Sequence, residues 1–497
     1  MPDDELVPDE VVSSGTVGAL RWGDLPKPIG LRRMIGPSVI LLGAAIGSGE
    51  FVLWPYIVSH WGFVVWWACM IGLFTQFWVN MEIERYTLAT GESAVIGFVR
   101  MWKHWAWIFL LCNTIPWVFP GWAKGAAECL SFLAGGERVV FGAPSTVIYA
   151  VASMIIIGLV LSLGPVVYKT VERLQLVMVV LILVFVVVLF VAIVKADTIW
   201  EMARGTVNFG YIPEAEDFSL PMLLGAIAYA GAGGSLNLSQ SNYIKDKSYG
   251  MGAFIGRITS LVTGRAEAIP DAGFLPRKTD ENVARWKAWW RAANWEHFVL
   301  FFVLGAASLI MLSCIAHSTV FGLDIGKDMD FVRQEGVQIG GAFGGLARTG
   351  FYLAGTLILL TTELGLMDMV ARVSADVVRG LWAKGSQTWT LRKLYYVFLW
   401  AEILVGCAIL LAGIGIEWFR NPVHLLVLGA GLNGLVMAFY SFLLLWMNGR
   451  VLPKWLGMGK VRFVALVWAC AFYGYFAITV LRIKIPALID EVLKVFR

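Results

Sequence analysis

Apolar runs of roughly 20 residues recur along the whole chain, separated by short polar stretches. They fall at about 35–57, 61–81, 105–134, 145–164, 172–195, 219–241, 297–322, 350–380, 395–416, 422–446 and 461–482. Each approaches the length a helix needs to cross a bilayer, so the pattern predicts an all-α polytopic membrane protein of about 11 transmembrane helices. The third run is interrupted by Pro116 and Pro120. Residues 1–30 read as a polar, flexible cytoplasmic tail, and Leu31-Arg-Arg33 leads into the first span. An acidic loop (Asp197, Glu201, Glu214, Glu216, Asp217) precedes span six, and a long amphipathic loop, 246–296, precedes span seven.

Two spans break their own pattern. Span one carries Gly43-Ala-Ala-Ile-Gly-Ser-Gly-Glu50, where glycines weaken the helix and a carboxylate sits in an apolar run. Span six carries Tyr229-Ala-Gly-Ala-Gly-Gly-Ser235, followed by Asn237, Ser239, Gln240, Ser241 and Asn242. Freed backbone groups at membrane depth are tolerated only where they line a cavity or pack on protein. Span one therefore reads either as a binding-site break or as a glycine-lined helix contact with Glu50 at an interface. The two interruptions are five spans apart and enter from opposite sides. That spacing predicts an inverted 5+5 repeat, about 31–196 and about 218–447 within a core of 31–450, with broken helices 1 and 6 meeting at the midplane. Residues 451–497 add a further helix and tail.

The distribution of charge sets the orientation. Arg32, Arg33, Arg85, Arg100, Lys103, Lys169 and Arg173 fall on one side, with the basic loop through Arg265 to Arg291 and the later Arg379, Lys384, Arg392 and Lys393. The other loops carry fewer cations, among them Arg138, Lys327 and Arg420, mixed with acids. By the positive-inside rule the N-terminus is cytoplasmic and the C-terminus outside, in a plasma or bacterial inner membrane. Arg285-Trp-Lys-Ala-Trp-Trp-Arg-Ala-Ala-Asn-Trp295 reads as an amphipathic interfacial anchor.

Composition agrees: the chain is 58% hydrophobic and 15% charged, which excludes an ordinary soluble domain. The net charge of +4 is small, and no basic patch suits nucleic acid. Six cysteines lie in or beside apolar spans without a CxxC pair, as small buried hydrophobes rather than a disulfide or zinc set. No nucleophile and base stand at usable spacing, so no enzyme and no resident cofactor are expected.

Certain stretches resemble the NRAMP (natural resistance-associated macrophage protein) family of metal-ion transporters over about residues 30–450. They are Gly36-Pro37, Gln76, Glu84-Arg-Tyr-Thr-Leu-Ala-Thr-Gly-Glu92 and Tyr168-Lys-Thr-Val-Glu-Arg-Leu-Gln175. The resemblance implies a LeuT-type fold and secondary transport by alternating access. It departs at the metal ligands. The family's Asp-Pro-Gly-Asn is replaced by Gly47-Ser-Gly-Glu50, and its Met-Pro-His by Ala232-Gly-Gly234. The family's acidic third-span residues are unmatched as well, the region holding Asn113, Trp117, Trp122, Lys124 and Glu128.

The expected substrate site is Gly47, Ser48, Glu50, Gly231, Ala232, Gly233, Ser235 and Asn237. Without a thioether, Glu50 and Asn237 with nearby carbonyls form an all-oxygen metal site, suited to a transported hard divalent cation such as Mg2+ or Mn2+. The alternative cargo is a small amino-acid-like or amine-like solute, with Trp54, Trp117 and Trp122 walling a larger pocket and half-helix N-termini facing an anionic group. A non-transporting sensor on the same fold is a third reading. Glu128, Glu363 and Asp368 are candidates for coupling to H+ or Na+. Asp368 and Arg372, and Lys124 and Glu128, are four apart and able to pair. Asn433 suits either a ligand or a helix–helix hydrogen bond. None of His60, His104, His297 and His424 is assigned to a metal. Lipid and cargo are the expected partners, and the oligomeric state is open.

Overall fold

The computed structural model describes residues 4–30, 34, 36–164, 166–214, 218, 220–262, 264, 270, 272–326 and 328–495; at 48, 480 and 483–495 it describes the backbone alone. Leu31, Arg32, Arg33, Glu216, Asp217, Arg265, Lys327 and the Ser48 side chain therefore fall outside the described residues.

Helices make up most of the described residues. Among the described residues, eight are long and apolar enough to cross a membrane: Pro37–Trp61, Ser145–Leu163, Val167–Ile193, Asp280–Val320, Gly345–Leu381, Leu391–Ala412, Pro422–Arg450 and Lys460–Thr479. These are spans one, four, five, seven, eight, nine, ten and eleven of the sequence reading. The other three take less uniform forms. Span two is one helix, Trp66–Thr90, whose second half carries Glu82, Glu84 and Arg85. Span three is split into Trp105–Thr114 and Gly121–Leu133, as Pro116 and Pro120 require. Span six is split into Leu220–Ala228 and Gly234–Asp246. Span five shows Val177, Val180, Leu181, Val184, Val188 and Val191 on its outside, an apolar surface suited to lipid.

Helix neighbours reveal the internal repeat that no sequence identity discloses. Span one packs on five as span six packs on ten, and three on four as eight on nine. Span one meets seven as six meets two, and five meets eight as ten meets three. Exchanging each of spans one to five with the span five places later maps one set of contacts onto the other, the topology of an inverted 5+5 repeat.

The N-terminal tail is not the flexible segment expected. Val7, Val12, Val17, Leu20 and Leu25 are buried. Strand Arg21–Gly23 pairs in parallel with Phe274–Pro276 of the loop before span seven. Arg100 donates to the carbonyls of Ser13, Ser14 and Gly18, and Lys384 to that of Val17. Tail and loop thus close one face of the bundle, called here the tail face.

The expected amphipathic segment is a helix, Asp280–His297, capped by the Thr279 hydroxyl and running straight on into span seven. Its Trp286 and Trp289 are buried on protein while Trp295 is exposed. The six cysteines are free thiols.

Candidate functional site

Spans one and six cross where their sequences are richest in glycine. Span one does not unwind there. Its interruption is a π-helical stretch, Ile46–Leu53, continuous with helix on both sides. It therefore offers no half-helix N-terminus to a ligand, a correction to the anionic-group reading for this span. Its glycines allow close packing instead. A Cβ on Gly43 would overlap Gln175, one on Gly47 would overlap Thr362, and one on Gly49 would overlap the Tyr229 carbonyl. The Gly47 N–H donates to Thr362 Oγ1 at 3.0 Å. The glycine-lined contact and the special backbone are thus two aspects of one feature.

Span six does break. The helix ends at Ala228, and Gly233, at φ 74°, starts the second half in a conformation that disfavours a side chain. The freed backbone groups are met by Gln76 of span two. Its Nε2 donates to the carbonyls of Ile227 (3.2 Å) and Ala228 (2.9 Å), and its Oε1 accepts from Gly233 N (3.0 Å) and Asn237 Nδ2 (3.2 Å). Asn237 Nδ2 also donates to Tyr440 OH at 2.9 Å, and its Oδ1 has no partner. Gly231 lies against Gln76 and Phe301, and Ala232 is fully buried.

Aromatic rings cover the other side of the break. Trp117 and Tyr229 stack with centroids 5.7 Å apart, and Trp122 lies 5.5 Å from Trp117. Trp117 Nε1 donates to Ser235 Oγ at 2.7 Å. Asn433 donates to Tyr229 OH at 3.1 Å, the helix–helix bond. Trp54 is not part of this wall; it packs edge-on against Trp66 and donates to Ala226 O at 2.8 Å.

Glu50 follows Gly49 on the π-helical stretch. It is fully buried, and neither carboxylate oxygen has a hydrogen-bond partner. It faces Gly305 and Ser308 of span seven and Cys69 of span two. The Ser308 hydroxyl is within reach of the carbonyls of Leu304 and Gly305 and also within interaction range of Glu50. A bare carboxylate in such a place needs a cation or a proton. Asn237 is hydrogen-bonded to Gln76 and Tyr440. Among the described residues, no group of three or more His, Cys, Asp or Glu stands together to hold a metal.

The three coupling candidates occupy separate places. Glu128 pairs with Lys124 at 3.4 Å on the wall of a cavity of about 450 Å³ shared with Glu137, Asp328 and Arg420. Glu363 is buried against Ala123 of span three, within electrostatic range of Glu402 in span nine. Asp368 binds Arg372 through both oxygens, at 2.9 and 3.2 Å, and accepts from Tyr395 OH at 2.8 Å. Arg372 also binds Asp246 at the end of span six. Two turns on, Asp376 accepts from Asn242 and Lys245. Span eight is thereby clamped to the second half of span six.

Sequence reasoning missed Asp246, Glu402 and the working role of Gln76. It also passed over a buried cluster of Ser38, Glu84, Gln240, Glu296 and His297 that joins spans one, two, six and seven. The available signal was a polar residue inside or beside an apolar run.

No family model and no curated protein sequence matches the chain. Solved structures do. A point mutant of a manganese transporter from Eremococcus coleocola superposes with a TM-score of 0.65 at 12% identity, covering 98% of this chain and 92% of that one. MhsT in complex with L-phenylalanine superposes at 0.51 and 14% identity, over 89% of this chain and 98% of that one. At such identities the likeness shows the fold, which is LeuT-type.

Proposed function

We propose that this integral membrane protein is a secondary-active transporter working by alternating access, with its cargo site where spans one and six cross. The cargo is a hard cation held by oxygen, Mg2+ or Mn2+ being the leading examples, and the chain is an NRAMP-like transporter with a modified site. The carrying observation is Glu50, buried beside the Gly49–Tyr229 crossing with both oxygens unpartnered. Asn237 Oδ1 and Asn433 Oδ1 are also unpartnered, so unused acceptors outnumber unused donors around the break. Such surroundings favour a positively charged, oxygen-seeking guest. No methionine stands within the break itself, although the fold brings Met369 Sδ to 3.8 Å from Ser235 Oγ and Cys69 beside Glu50.

Mechanistically, the cation neutralises Glu50, and a proton or Na+ on a carboxyl group accompanies it. Glu363 and Asp368 serve as coupling groups deep in the scaffold, and Glu128 at the cavity mouth. Release on the tail face, here taken as cytoplasmic, requires the Asp246–Arg372–Asp368 clamp to part, because it ties span six to span eight.

A second cargo reading, a small organic ammonium compound, draws on the Trp117–Trp122–Tyr229 wall, since indole faces attract cations. The test is uptake of Mg2+, Mn2+ and Ca2+ into proteoliposomes by wild type and Glu50→Gln. Uptake by wild type that is lost in the folded variant supports the cation. Absence of any ion flux, with uptake of an amine instead, rejects the metal and leaves the second reading.

A further inference from the structure

A second polar cavity lies on the tail face, away from the crossing. It encloses about 450 Å³ and is walled by Trp286, Trp290 and Trp455 together with four cations, Arg85, Lys287, Lys460 and Arg462. The two arginines are structural. Both bind the buried carboxylate of Glu82, Arg85 at 2.7 and 3.1 Å and Arg462 at 3.3 Å. Both also lie over the Trp290 ring, at 4.0 and 4.6 Å. Glu82 thus answers both guanidinium groups, and Glu84 lies within electrostatic range of Arg462, so neither arginine is free to hold a guest. Lys287 and Lys460 are the other two cations, at the rim, where both are exposed. Among the described residues neither lysine joins an ion pair.

The position of this cavity selects its guest. Lys287 lies on the interfacial helix Asp280–His297, and Lys460 begins span eleven. Directly beyond Lys460, Val461, Phe463 and Val464 are exposed along the outer face of that span, as lipid-facing residues are. An occupant therefore meets cations and indoles at one end and an open apolar flank at the other. That is the layout of a phospholipid: a phosphate for the cations, a glycerol backbone at the depth where tryptophans prefer to lie, and acyl chains beside the helix.

We propose that this cavity is a binding site for an anionic phospholipid, its phosphate held between Lys287 and Lys460 and its backbone against Trp286 and Trp455. Phosphate is the recognised group, and the membrane supplies it. The lipid fastens the interfacial helix to span eleven, so it acts at a distance from the cargo site and holds whatever the cargo is.

The experiment uses the full chain, purified in detergent and stripped of lipid. Retention of phosphatidylglycerol and of phosphatidylcholine is read by native mass spectrometry for wild type, for Lys287→Gln/Lys460→Gln, and for Lys103→Gln as an exposed control. Wild type and control retain phosphatidylglycerol in preference to phosphatidylcholine. The double variant, whose changes are exposed and leave the fold intact by thermal melt, binds it more weakly by on the order of tenfold. Millimolar inorganic phosphate leaves the bound lipid in place. Equal retention of the two lipids, or unchanged retention in the double variant, overturns the proposal. Displacement by inorganic phosphate also overturns it, by assigning the cavity to a soluble anion.

Discussion

Gly49 of span one rests directly on the backbone carbonyl of Tyr229 in span six, with no room for a methyl group between them. This contact joins the two repeats at the crossing and places Glu50 beside it. Gly49→Ala forces span one away from the break or distorts the π-helical stretch. Gly431→Ala, in a helical position with open space around it, serves as the control. The control keeps or gains stability, since alanine favours a helix by about 1 kcal/mol over glycine. Gly49→Ala lowers the thermal melting point and, on the proposed function, abolishes uptake. If the two variants melt alike, the contact is not the constraint it looks to be.

Gln76 supplies what the break in span six lacks. One carboxamide meets two carbonyls and one N–H of the interrupted backbone. Gln76→Leu strands all three, at roughly 1–3 kcal/mol for each buried unpaired group. The expected total of several kcal/mol exceeds that of an ordinary core substitution. Gln76→Glu keeps the shape but replaces the donating nitrogen with an oxygen aimed at the carbonyls of Ile227 and Ala228. Both variants lose stability in denaturation followed by fluorescence, and full stability in Gln76→Leu would show that the break needs no such support.

The clamp on the tail face makes a different demand. Arg372 is buried between Asp246 and Asp368, with the rings of Tyr243 and Tyr395 at 5.4 and 5.8 Å. Arg372→Met leaves two buried carboxylates facing each other without their cation. Breaking a buried pair in this way costs about 3–5 kcal/mol. Replacing all three together, as Asp246→Asn/Asp368→Asn/Arg372→Met, removes the charges and restores most of that loss. Thermal melts of the single and triple variants test this. A triple variant no more stable than Arg372→Met would mean that packing, not charge, holds spans six and eight.

The helices were legible in the sequence because a bilayer imposes one length on every element that crosses it. Glu50 was legible for the same reason, as a carboxylate in a run that should hold none. The pairing of Asp368 with Arg372 followed from helical spacing alone. Asp246 did not, because the third member of the clamp is brought from another span by the fold. Gln76 stood in plain view in span two, but its function exists only once residues 227–233, some 150 positions later, are folded against it. The tail was misread for another reason. Val7, Val12, Val17, Leu20 and Leu25 follow neither the helical nor the strand period, so no amphipathic pattern marks them. They are buried because Arg100 and Lys384 gather the backbone carbonyls of an irregular segment.

Asp328 carries the pH-dependent prediction. It lies in the connection between span seven and the helix Asp330–Phe343, outside the membrane-spanning segments, on the wall of the cavity that holds Glu128. Burial pushes its carboxyl up from the usual range to about 7, helped by the nearby Glu128 and opposed by the Val423 N–H and by Lys124. The folded protein thus holds a proton that the unfolded chain has released in the interval from about pH 4 to pH 7. Proton uptake favours folding there, so this contribution is complete below about pH 4 and is lost as the pH rises through 7. Asp328→Asn keeps an acceptor for Val423 N and removes the titration. Melting points measured from pH 5 to pH 8 should fall for wild type and stay flatter for Asp328→Asn, with the variant the more stable at pH 8. Parallel curves for the two proteins would mean that Asp328 is ionised in the fold throughout that range.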